Sequence, residues 1–117
     1  MALALNCRCC GLPGSLFTAV SWNPNGNADR PYYKCVPCNQ FIAFIDTRGN
    51  DPANPHCDCE RPSKRQISGK DSKTPRKVFY VCTMGQCDFY NEERDEDDNI
   101  VTIPREDVGS LIRLRFI

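Results

Sequence analysis

The sequence predicts a small all-β protein of two tandem three-stranded antiparallel units, followed by a C-terminal strand-like tail. Three observations carry that expectation. Nine cysteines sit in 117 residues, most of them in close pairs. The pattern of the first half returns in the second, and a fixed repeat is the first thing to look for in any chain. The runs between the cysteines are short, β-branched or aromatic, and bounded by turn formers.

The totals set the frame. At this length one domain's worth of chain is available, with a modest core. Fifteen basic residues balance 15 acidic ones, so overall charge gives no argument for a nucleic-acid partner. The charges are segregated, however. Residues 57–80 hold seven Lys/Arg against three Asp/Glu, and residues 88–98 hold seven Asp/Glu against one Arg. The start, "MALALNCRCC", lacks the basic region of a signal peptide. No run approaches the roughly 18 apolar residues of a membrane span. Cysteine density of this kind means a disulfide framework or intracellular metal sites. The odd count and the knuckle-like spacings favour metal.

The first half reads "CRCCGLPGS…DRPYYKCVPCNQF" and the second "CDCERPSK…PRKVFYVCTMGQCDF". Tyr32-Tyr33-Lys34-Cys35 aligns with Phe79-Tyr80-Val81-Cys82, and Cys38 with Cys87. Pro13 and Pro62 each follow a cysteine by three residues, which registers Cys10 with Cys59. Adjacent residues of extended chain point to opposite faces, so Cys9 and Cys10 do not both suit one ion. Cys7-x-x-Cys10-Gly11 has the knuckle spacing, with Gly supplying the freedom its turn needs. The expected first ligand set is Cys7, Cys10, Cys35 and Cys38. Cys9 is the alternative to Cys10, copying Cys57-x-Cys59 more literally; otherwise it is left over as a small apolar side chain. The second set is Cys57, Cys59, Cys82 and Cys87, with His56 as a solvated turn residue. Four thiolates around a hairpin favour zinc over an iron–sulfur cluster. Two structural zinc ions are expected, in closed shells with no position for substrate.

The elements follow in order. Residues 16–22, 31–35 and 41–46 read as strands of the first unit, with "NPNGNAD" as a loop between the first two. Residues 64–68, 77–82 and 87–91 repeat them. The first unit is thus 1–46, a link runs over 47–55, and the second unit is 56–91. The segment 92–117 holds an acidic run and an apolar tail. In "LIRLRFI", Ile112, Leu114 and Phe116 alternate with arginines, a strand signal.

These residues resemble the GRF-type zinc finger. Its pattern runs Cys-x-Cys-Gly, an Asn-rich stretch, Gly-Arg, an aromatic-Tyr pair and Cys, then Cys and Phe. Here Asp29-Arg30-Pro31-Tyr32-Tyr33-Lys34-Cys35 fills the centre, with Asp29 in place of the Gly. In the second half Arg76, Phe79, Tyr80, Cys82, Cys87 and Phe89 match, and Glu60 replaces the Gly after the cysteine pair. The arrangement is similar to fungal GRF-like zinc-ribbon proteins with two such units. The resemblance implies a β-sheet claw around each zinc, and an accessory module that binds single-stranded nucleic acid, with an intracellular, nuclear location.

Such binding needs cations for phosphates and flat rings for bases. Arg30, Lys34, Arg65 and Arg76 are the expected phosphate contacts, and Tyr33 and Trp22 the expected platforms. One of Tyr32 and Tyr33 must face the core, and Phe41 and Phe89 read as core residues. The rival reading is a protein-interaction module, with residues 111–117 adding a strand to a partner or to a second copy. Catalysis is not expected, since the metal shells are closed and no nucleophile–base pair stands out.

Overall fold

The computed structural model describes residues 5–20 and 27–117. Two three-stranded antiparallel sheets form its frame. The first holds β1 (Ser15–Thr18), β2 (Pro31–Cys35) and β3 (Gln40–Phe44). The second holds β4 (Lys64–Ile67), β5 (Val78–Val81) and β6 (Tyr90–Glu92). Each sheet has its middle strand second in chain order. The strand expected at 87–91 begins only at Tyr90, because Cys87 lies in the turn that closes the cysteine cluster.

The β1–β2 and β4–β5 pairings share register as well as topology. Leu16 pairs with Tyr33 in one, and Arg65 with Tyr80 in the other. Both tyrosines are buried, so each aromatic pair keeps its second ring inside and turns its first outward. The hairpin hydrogen bonds fix the next residues. Ala19 N–H donates to the Arg30 carbonyl as Ser68 N–H does to that of Lys77. Arg30 therefore corresponds to Lys77, and Asp29 to Arg76. Asp29 (φ 60°) and Arg76 (φ 55°) both take the left-handed conformation. The same holds at the knuckles, where Gly11 has φ 75° and its counterpart Glu60 has φ 62°. Glycine is favoured there but not required.

Each unit has a small core. Leu5, Tyr33 and Ala43 are buried in the first, with Ile42 and with Met84 of the second unit against them. Val78, Ile103 and Ile117 are buried in the second, flanked by Ile67, Val101, Val108, Leu111 and Ile112. Much of this second core comes from the C-terminal segment, which is not the expected strand. After Arg94 pairs with Ile100 in a tight hairpin, the chain forms a 3₁₀ turn (Arg105–Asp107) and then α1 (Val108–Arg113). The alternation of "LIRLRFI" misled because Val108, Leu111 and Ile112 also satisfy the i, i+3, i+4 spacing of a helix face. Ile117 is 2 % exposed and Leu111 and Ile112 pack on the second core, while residues 113–116 are exposed, so the segment is anchored at both ends and is not the expected strand.

The 47–55 segment is a structured hinge between the sheets. Asn54 donates to the carbonyls of Gly49 and Ser63 at 2.9 and 2.8 Å and accepts from Arg65 at 2.9 Å. Gly49 N–H donates to Arg115 O. A Cβ on Gly49 would stand 2.0 Å from Arg65 O, so the close approach of the two chains needs the glycine.

Candidate metal centres and an aromatic face

Cys7, Cys10, Cys35 and Cys38 place their sulfurs within 4.8 Å of one another, and Cys57, Cys59, Cys82 and Cys87 do the same. Zinc at about 2.3 Å from four thiolates at tetrahedral corners sets them about 3.8 Å apart. The Cys10 and Cys35 sulfurs are 3.5 Å apart, so the donor sets suit zinc. In each set the first and third cysteines are buried, the second is exposed and the fourth is half-buried. Cys9 is outside the cluster. It is exposed, not buried as an apolar filler. Its N–H donates to Cys7 Sγ at 3.4 Å, as Gln86 N–H does to Cys82 Sγ.

The local electrostatics explain why a cation belongs there. Backbone N–H groups of Cys10 and Cys9 aim at the Cys7 sulfur and lower its pKa to about 6. Burial opposes ionisation of Cys82, but N–H groups of Gln86 and Met84 outweigh it and hold the thiol at about 7. Cys38, hydrogen-bonded by Cys10 and Cys35, is pushed up to about 12. Cys59, beside Cys87, is likewise pushed up to about 12. Each cluster thus favours a thiolate yet resists full ionisation of its crowded sulfurs. A divalent cation relieves that repulsion.

A family model, the GRF-like zinc ribbon domain, matches residues 4–48. The matched span covers the first sheet and its four-cysteine cluster. The second unit lies beyond the matched span and carries the same strand order and a second four-cysteine cluster. The crystal structure of the human NEIL3 tandem zinc finger GRF domains is similar over 78 % of this chain and 99 % of that one, at 22 % identity and a TM-score of 0.32. No curated protein matches the chain in sequence. No helix among the described residues is long and apolar enough to cross a membrane.

The residues expected to contact nucleic acid fare unequally. Arg30 is 4 % exposed. Its guanidinium donates to Asp46 at 2.6 and 2.9 Å, to Asn27 at 3.0 Å, and lies 3.8 Å from the Phe44 ring centroid. Arg65 is also buried, bonded to Asn54 and the Phe116 carbonyl and stacked over the Phe116 ring at 3.8 Å. Neither has a free cationic head, so the expectation of phosphate contact is corrected at both. Arg76 is half-buried and its Nε donates to Ile103 O at 2.9 Å. Tyr33 is core and cannot stack on a base. Trp22 lies outside the described residues. Lys34 alone keeps the expected setting, half-buried on the outer face of β2.

That outer face holds what the sequence reading missed. Phe17 and Tyr32 are cross-strand partners, as are Tyr32 and Phe44. A bulge in the β2–β3 pairing then sets Phe41 opposite Lys34. Phe41 and Phe44 are three apart, so plain alternation would send them to opposite faces. The extra residue brings both rings outward and turns Ile42 and Ala43 inward. Ring centroids are 5.8 Å apart for Phe17–Tyr32, 5.8 Å for Tyr32–Phe41 and 5.0 Å for Phe41–Phe44. Phe41, expected in the core, is 51 % exposed. Tyr32, Phe41 and Phe44 with Lys34, Asn27 and Asn39 border an open groove of about 490 Å³.

The two units meet along a polar seam. Lys64, 1 % exposed, reaches Asp46 with contacts of 2.7 Å to its carbonyl and 3.0 Å to its carboxylate. Burial alone would raise the Asp46 pKa. Hydrogen bonds from Arg30 and Lys64 reverse that and hold it at about 2. Arg8 pairs with Asp88 at 2.6 Å, and Gln86 donates to Asn6 O at 3.1 Å. A Cβ on Gly85 would lie 2.2 Å from Ile42 O.

Proposed function

We propose that this protein is a zinc-stabilised adaptor that binds single-stranded nucleic acid on the outer face of its first sheet. Each cysteine cluster holds one structural zinc ion, and a nuclear location accords with the role. The observation that carries the reading is the row of Phe17, Tyr32, Phe41 and Phe44 beside Lys34. Rings exposed in line on a sheet offer stacking surfaces that accept any base, and a neighbouring lysine meets a phosphate. A buried position would suit such rings better unless something covers them.

Arg30 supports the platform from beneath and is neutralised by Asp46. Few free cations therefore face the strand, and stacking carries most of the affinity. Fluorescence anisotropy of the zinc-loaded protein with a labelled single-stranded oligonucleotide tests this. Binding with a shallow salt slope, about 0.7 per phosphate contacted, is the expected result. Absence of binding at low salt would end the reading.

A further inference from the structure

Between the two units lies a cleft of about 300 Å³ that the platform does not account for. This volume is at the lower end for ligand pockets. Its apolar walls include Phe41 and Phe89, with Val81 between the sheets. Its polar lining includes Gln40, which is exposed, and Gln66, which is half-buried, beside the cluster cysteines Cys7, Cys82 and Cys87. Among the described residues, neither glutamine amide has a hydrogen-bond partner. The Arg8–Asp88 ion pair stands at the border of the cleft. Phe41 lines both this cleft and the groove of the aromatic face, so the two openings adjoin at that residue.

We infer that the cleft between the units receives one unpaired nucleobase of the bound strand and reads its edge with Gln40 and Gln66. The inference rests on the proposed single-strand binding. An aromatic wall with polar groups aimed inward is how a base taken out of its stack is held. A glutamine amide presents a donor beside an acceptor, the pattern that complements adenine through its ring nitrogen and amino group. Adenine is therefore the base expected there. Both units must be in place for the site to exist, because Gln40 comes from β3 and Gln66 from β4. The cleft gives the tandem arrangement a task that a single ribbon lacks.

The test compares two labelled pyrimidine oligonucleotides. One carries a single central adenine, and the other carries unsubstituted purine at that position, which stacks alike but lacks the amino group. The wild-type protein is expected to bind the adenine strand about tenfold more tightly. Gln66→Leu and Gln40→Leu are each expected to bring that ratio close to one. In parallel, the side-chain amide resonances of Gln40 and Gln66 should shift on adding the adenine strand. Equal affinity for the two strands in the wild type, or a ratio unchanged in both variants, overturns the cleft assignment while leaving the platform intact. No binding of either strand removes the platform reading, and the cleft assignment with it.

Discussion

The two sheets share strand order, register and a cysteine cluster, yet their outer faces differ. In the first, Phe17, Tyr32 and Phe44 cross the strands in a row. At the same register the second has Gln66, Phe79 and Glu92. Phe79 and Tyr90 stack at 5.4 Å, but Lys77 spans them, 2.8 Å from Glu92 and 5.4 Å from the Tyr90 ring. An acid now stands where Phe44 stands in the first sheet, and it is tied to Lys77 and Arg94. The inner faces differ in the opposite sense. The second sheet has Ile103 and Ile117 packed on it by the C-terminal segment, whereas among the described residues the first has Leu5 and a borrowed Met84. A repeat can thus keep its metal staple while one copy becomes a binding face and the other a scaffold.

Metal removal should separate the copies most. Structural zinc in such units is coupled to folding. Chelation, or Cys35→Ser, is expected to abolish amide-exchange protection in β1–β3. Part of the protection in β5 should survive chelation because its apolar core is larger. Uniform loss in both sheets would show that the cores do not differ in consequence.

The seam comes next. Asp46→Ala would leave Arg30 and Lys64 buried without their counter-charge, a loss of about 3–5 kcal/mol by denaturant unfolding. The Asp46 carboxyl has its pKa lowered to about 2 in the folded protein, against about 3.9 unfolded. Its ionic contribution is therefore full above about pH 4 and fades as pH falls toward 2. The stability gap between wild type and Asp46→Asn should narrow over that window. A gap independent of pH would mean that the carboxylate charge is not what holds the seam.

Smaller effects follow. Gly85→Ala must shift backbone away from Ile42 at a left-handed position. A loss of about 2 kcal/mol is expected, with chemical-shift changes on both sides of the seam. Lys34→Ala should lower single-strand affinity modestly and flatten the salt slope by about 0.7. An unchanged slope would remove Lys34 from the phosphate path.

Much of the scaffold was legible from cysteine spacing, because metal geometry is local and unforgiving. The Cys7-x-x-Cys10 choice over Cys9 followed from which face each side chain takes, and the clusters bring together the sets expected. The binding face was harder to read. Arg30 and Tyr33 carry the right chemistry for nucleic acid, but Asp46, sixteen residues from Arg30, claims its charge. Tyr33 occupies the core in place of Tyr32. The bulge that turns Phe41 outward leaves no local sequence mark, though five aromatic residues at β-sheet positions of one half hinted at a surplus over what so small a core can bury. The tail was misread because a six-residue helix and a short strand can share an apolar pattern.

The most direct measurement uses the repeat as its own control. Tyr32 and Phe79 occupy equivalent outward positions, so Tyr32→Ala and Phe79→Ala remove equivalent rings from the two sheets. Single-strand binding would be measured by anisotropy for both variants after zinc content and folding are matched to wild type. The expected result is a loss of about 1–3 kcal/mol for Tyr32→Ala and wild-type affinity for Phe79→Ala. Equal losses, or a loss confined to Phe79→Ala, would contradict the assignment of the binding face to the first sheet.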